Sequence, residues 1–185
     1  MACLNPPMNE RTAGNFSMDK PPKVSVSIME NAGREFPDER SLEQALSYAL
    51  GRILSELGLC SDPEKTELEV SIVDDRKIQV LNLKFRGFDK PTDVLSFPIY
   101  AKGEIPGKLA ENDPPRTIGD LVFGSETISR QAEERGMDFI ERFTECFIHG
   151  VLHLLGYEHE KDTDRLAMEE LEDRLFEDVN DLIYY

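Results

Sequence analysis

All three histidines of this 185-residue chain fall within one eleven-residue stretch, HGVLHLLGYEH, as His149, His153 and His159. No other stretch constrains the fold as much. His149 and His153 are four residues apart, and that spacing sets two rings side by side on one face of a helix. Gly156 follows where a helix can close in the left-handed conformation that most other residues avoid. The spacing therefore predicts a helix in the C-terminal half that ends at Gly156 and a chain that turns back to bring His159 to the other two.

The rest of the pattern supplies a scaffold for that helix. Val24, Val26 and Ile28 alternate with Ser25 and Ser27, which predicts a strand. Ser41 and Gln44 have capping-box spacing ahead of an apolar stripe from Leu42 to Leu57 that stops at Gly58. Glu67 to Val73 alternates as a second strand, and Asp74 and Asp75 open a shorter helix through Leu83 that stops before Gly87. Asp93 to Pro98 and Gly119 to Phe123 read as two more strands, separated by a Pro- and Gly-containing loop from Ala101 to Pro115. Helices follow from Ser125 to Arg135, from Met137 to Leu155 and, acidic throughout, from Thr163 to Leu182. The expected order is β-α-β-α-β-β-α-α-α: an α/β (α+β) chain whose small mixed sheet is packed with helices. Residues 1–22 are polar, hold four prolines and lack periodicity, so they are expected to form a flexible leader, with Met18 as an alternative start. Residues 23–185 are then expected to form one domain.

Composition narrows the class. Hydrophobic residues make up 39% and charged residues 31%, the balance of a water-soluble globular protein. No stretch approaches the ~18 apolar residues of a membrane span, and no apolar segment of a signal peptide opens the chain. Three distant cysteines, Cys3, Cys60 and Cys146, form no disulfide framework and suit a reducing cytoplasm. The net charge of -16 argues against nucleic acid only as a total. From Arg76 to Arg116 there are eight basic residues against five acidic ones, whereas Glu158 to Asp181 holds eleven acidic against three basic. The middle of the chain is mildly basic, so an RNA substrate is not excluded. The acidic end (Glu169, Glu170, Glu172, Asp173, Glu177, Asp178) reads as a solvated helix face or as a docking surface for a basic partner.

Three neutral imidazoles converging on one point describe a catalytic zinc site with one tetrahedral position open to water. One zinc ion per chain is expected, held by His149, His153 and His159. Water on such an ion has a pKa near ~7, which readies it to attack a carbonyl or a phosphodiester. The spacing His-x-x-x-His-x-x-Gly-x-x-His is also that of metzincin peptidases. Those enzymes need a glutamate after the first histidine as general base, and here Gly150 stands there. Glu145, one turn before His149, reads either as the group that orients its ring or as a solvated charge. Cys146 reads as a small buried hydrophobe rather than a ligand.

A second segment, LNLKFRGFDKPTDVLSFP from Leu81 to Pro98, clusters Lys84, Arg86 and Lys90 at a glycine turn before an apolar strand. It reads either as a charged, solvated rim or as a cationic wall suited to phosphate, which Arg can grip with two parallel hydrogen bonds. Asp93 and Ser96 beside it are expected to be structural. Taken with HGVLHLLGYEH and with GDLVF (Gly119 to Phe123), this segment resembles the YbeY family of bacterial endoribonucleases, over roughly residues 24 to 182. The resemblance implies a zincin-like fold, a three-histidine zinc site and cleavage of single-stranded RNA. It implies work on the small-subunit ribosomal RNA 3' end, a role in ribosome quality control, and partners that include the ribosomal small subunit and an assembly GTPase. By position it makes Arg86 the basic catalytic residue near the metal. Two departures stand out: Glu158 where the family usually has Asp, and Glu145 where many members carry a further histidine. Two rival readings remain from the residues themselves. One is a metal-dependent hydrolase of another substrate, such as a peptidase, and the other is a ribosome assembly module with a structural metal.

Overall fold

The computed structural model describes residues 21–29, 32, 36, 38–59, 63–101, 104, 112–157 and 162–183. The leader expected over residues 1–22 falls outside these residues but for its last two, and most of the loop expected from Ala101 to Pro115 falls outside them as well. The elements run β1 (Lys23–Ile28), α1 (Glu39–Glu56), β2 (Thr66–Val73), α2 (Asp75–Arg86), β3 (Val94–Pro98), β4 (Arg116–Gly124), α3 (Ser125–Arg135), α4 (Phe139–Leu154) and α5 (Asp162–Ile183), with a short 3-10 turn at Pro63–Lys65. This is the order the sequence predicts.

The four strands form one sheet in the order β1-β2-β4-β3. β1 and β4 both run parallel to β2, and β3 runs antiparallel to β4, so the sheet is mixed as expected. Alternation assigns the faces. Val24, Val26, Leu68, Val70 and Ile72 join one large core with residues of α1, α4 and α5. On the other face Val73, Leu95 and Val122 pack with Ile78 of α2 in a smaller cluster. β4 keeps Leu121 and Phe123 on the large-core side together with Ile118, which is out of phase with them. The phase changes at a register shift between Glu67 and Glu69 of β2, opposite Gly119. Gly119 has φ 149°, and a Cβ there would lie 2.4 Å from the Phe97 carbonyl oxygen, so only glycine fits this bulge.

The start of α1 differs from expectation, and the end of α2 agrees with it. α1 begins two residues before Ser41, because Asp38 caps it: Asp38 Oδ1 accepts from the Ser41 amide at 2.9 Å and Oδ2 from the Ser41 hydroxyl at 2.7 Å. A carboxylate one turn earlier takes the capping role that Ser41 and Gln44 suggest. α2 runs through Leu83 to Arg86, and Gly87 ends it in the left-handed conformation, where the sequence places the stop. The last turn carries Phe85 and Arg86 to the rim of the site.

Candidate active site

The site is assembled on α4. Asp138 caps this helix by accepting from the Ile140 amide at 2.8 Å, and Glu141 reaches back to the Asp138 amide at 3.0 Å. Phe143 and Phe147, both 0% exposed, root α4 in the core. Each such burial contributes roughly 1.5–3 kcal/mol. His149 and His153 project together from the opposite side, partly exposed. Their rings meet edge to face, with centroids 4.5 Å apart and an interplanar angle of 84°. The two Nε2 atoms are 3.0 Å apart.

The polarity of this pair follows from its neighbour. His149 Nδ1 lies 2.7 Å from Glu172 Oε1 on α5. An ionised carboxylate only accepts, so Nδ1 donates, and a neutral His149 then presents a lone pair at Nε2. That lone pair faces the Nε2 of His153, and two imidazole nitrogens at such a distance share a proton or a cation. The donor set and the convergence of the two nitrogens therefore fit a metal such as zinc. α4 ends as the spacing predicts: Gly156 has φ 83°, and the Tyr157 amide donates to the Leu152 carbonyl at 3.0 Å. His159, the third ligand expected, lies outside the described residues, as does Glu158. Among the described residues no group of three His, Cys, Asp or Glu side chains is arranged to hold a metal ion.

His149 and His153 open into a cleft of about 780 Å³ that Phe85, Arg86, Phe97 and Tyr100 also line. Arg86 thus shares one cleft with the two histidines, although 63 positions separate Arg86 from His149. Its guanidinium lies 5.7 Å from the Phe88 ring, and among the described residues it makes no ion pair. A cation without an anionic partner beside imidazole donors suits a phosphate. Gly150 packs into the sheet: a Cβ there would lie 2.8 Å from Leu121 Cδ2. A side chain at the position after the first histidine would therefore press on Leu121 in the core, and this is no setting for the glutamate base of a metzincin.

Glu145 neither orients His149 nor stands free in solvent. It pairs with Arg135 at 3.0 Å and with Arg142 at 2.8 Å. Arg142 in turn holds Asp93 at 2.7 Å, and Asp93 also accepts from the Val94 amide at 2.9 Å. Asp93 is a tether between β3 and α4, the structural role expected of it. Ser96 makes a second tether, donating to the Gly150 carbonyl at 3.3 Å. Cys146 is 1% exposed, and burial pushes its thiol far above the ordinary range, so it is the neutral, inert thiol expected. It lines a second cavity of about 580 Å³ between α4 and α5, behind His149.

The residue that sequence reasoning missed is Glu172. Its neighbours Glu169, Glu170, Asp173, Glu177 and Asp178 are exposed, as a solvated face requires. Nothing local distinguishes Glu172 from them; only the packing of α5 on α4 does.

The Endoribonuclease YbeY family model matches residues 25–180. The Endoribonuclease YbeY of Bradyrhizobium diazoefficiens is 35% identical over 154 residues, 83% of this chain and 80% of that protein. The protein of the same name from Bradyrhizobium sp. strain BTAi1 is 36% identical over 152 residues, 82% and 85% of the two chains. A Thermotoga maritima protein solved in solution superposes with a TM-score of 0.54 at 25% identity, over 84% of this chain and 88% of the other. Among the described residues no helix is long and apolar enough to cross a membrane. The chain belongs to the YbeY family of endoribonucleases.

Proposed function

We propose that this protein is a zinc-dependent endoribonuclease that cuts single-stranded ribosomal RNA in the cytoplasm, at the maturing 3' end of the small-subunit RNA, and serves ribosome quality control. The small ribosomal subunit and an assembly GTPase are its proposed partners. The observation that carries the chemistry is the convergence of His149 and His153, Nε2 to Nε2 at 3.0 Å, in a cleft that Arg86 also lines. His149, His153 and His159 would hold one zinc ion, which supplies Lewis acidity toward a phosphoryl oxygen.

The chain's own residues do the rest. Glu172 keeps the proton of His149 on Nδ1 and so keeps Nε2 available as a donor. Arg86 binds the phosphate and stabilises the charge that grows on its oxygens as the bond to the leaving oxygen breaks. Lys84 and Lys90 add sequence-independent attraction for the backbone. The packing of Gly150 against Leu121 counts against the peptidase reading.

The test pairs wild type with His153→Ala, measuring bound zinc and cleavage of a labelled single-stranded ribosomal RNA fragment, with casein as control. Wild type is expected to carry about one zinc and to cut RNA but not casein, while the folded variant does neither. A variant that cuts RNA at the wild-type rate would falsify the proposal and leave the assembly-module reading in its place.

A further inference from the structure

Phe85 and Phe88 flank Arg86 at the turn between α2 and β3, and they are 55% and 53% exposed. Phenylalanine normally gains its stability from burial, so two water-facing rings beside one cleft call for an occupant. Each ring has a cation near it: Lys84 Nζ lies 4.9 Å from the Phe85 centroid, and the Arg86 guanidinium lies 5.7 Å from that of Phe88.

The turn is also held in shape. Gln79 donates to Asp89 Oδ1 at 2.8 Å, and Asn82 donates to the Lys90 carbonyl at 2.7 Å. Phe85 meets Phe97 edge-on at 5.0 Å, which ties the platform to β3 and to the cleft. Aromatic rings interleaved with cations on an ordered surface are what unpaired nucleotides bind: the rings stack on bases and the cations take the phosphates.

Resting on the proposed function, we infer that Phe88, with Phe85 beside it, stacks on an unpaired base adjoining the phosphate that Arg86 holds. The turn then selects single strands for a physical reason. In a duplex both faces of each base are already covered by neighbouring bases, whereas an unpaired base offers a free face. Because every base has such a face, the selection is for strandedness and not for sequence.

Phe88 is the residue to test, because Phe85 also packs on Phe97. Initial cleavage rates of the zinc-loaded full-length protein are measured on a short single-stranded RNA and on copies that each lack one base. Phe88→Leu is expected to raise KM about tenfold with kcat unchanged, within the roughly 5- to 150-fold that one base–aromatic stack is worth. Phe88→Trp should keep KM at or below the wild-type value. In wild type, removing one particular base should raise KM about tenfold, and in Phe88→Leu the same removal should add nothing. Bound zinc and the melting temperature should match wild type in both variants. An unchanged KM in Phe88→Leu, with wild type still cutting RNA, overturns the platform and leaves the nuclease reading standing. Wild type that carries zinc but cuts no RNA overturns both.

Discussion

The two walls of the cleft are built on opposite plans. In α4, ten of sixteen residues are buried, and the helix is fixed by the sheet, by α5 and by the tethers to Asp93 and Ser96. In α2, two of twelve residues are buried, and Val80, Leu83 and Phe85 face solvent. The histidines stand on the first wall and Arg86 on the second. Imidazoles that share one ion must hold their places to a few tenths of an ångström, which only an element packed from several sides can guarantee. A cation at a turn fixed by local hydrogen bonds needs less support from the core. On the proposed function the walls are then separable: changes on α4 should act on zinc binding, and changes on α2 on RNA.

The largest expected effect tests the α2 wall. Arg86→Ala should lower kcat for RNA cleavage by about 10²–10³-fold, the scale of losing one charge-stabilising donor. Bound zinc, measured by metal analysis of the same preparation, should stay at the wild-type level. A variant that loses its zinc would show that the walls are not independent.

The matching change for the other wall is Glu172→Ala, on α5 where it meets His149. Losing the carboxylate that orients His149 should weaken zinc about 10- to 100-fold in a competition titration with a chelator. With zinc restored in excess, the KM for RNA should return to the wild-type value. A raised KM under saturating zinc would mean that Glu172 acts on the substrate side, and the division of labour between the walls would fail.

Gly150→Ala sharpens the comparison in stability. The added methyl would lie 2.8 Å from Leu121 Cδ2 and 3.4 Å from Val94 Cγ2. Overpacking of a closed core typically costs about 1–3 kcal/mol. For a domain of this size each kcal/mol lowers Tm by roughly 2–4 °C, so a thermal melt should show a drop of several degrees. An unchanged Tm would mean that α4 or the Leu121 side chain gives way, against the close packing of this wall.

How much of this was legible in the sequence depends on the range of the interaction. The order of elements, the strand faces and the end of α4 at Gly156 are local matters, set by apolar periodicity and by one residue that tolerates positive φ. The partnership of His149 with Glu172 joins residues 23 positions apart, and nothing in the acidic run near Glu172 marks it out. Glu145 was the nearer candidate, one turn away on the same helix. Arg135 and Arg142 take its carboxylate instead, and charge-assisted bonds to two guanidiniums outweigh one to an imidazole. The end of α2 is local in the same way as that of α4: the stop the sequence marks is Gly87, and Leu83, inside the last turn, is solvent-facing.

That same Leu83 gives the smallest effect and the clearest contrast with Gly150. It is 49% exposed and points away from the face of α2 that buries Ile78 and Asn82. Leu83→Ser leaves in place the backbone carbonyl that accepts from Gly87 at 3.1 Å, and removes only a solvent-facing side chain and some helix propensity. Surface changes of this kind stay within about 0.5 kcal/mol, so Tm should move by less than about 2 °C. The KM for single-stranded RNA should also hold, because Leu83 offers neither a ring to stack on a base nor a charge to hold a phosphate. A fall in Tm as large as that of Gly150→Ala would mean that α2 is fixed on its outer side too. A rise in KM matching that of Phe88→Leu would extend the RNA-binding surface around the helix. Either result removes the distinction between the closely packed wall of α4 and the open wall of α2 on which the proposed division of labour rests.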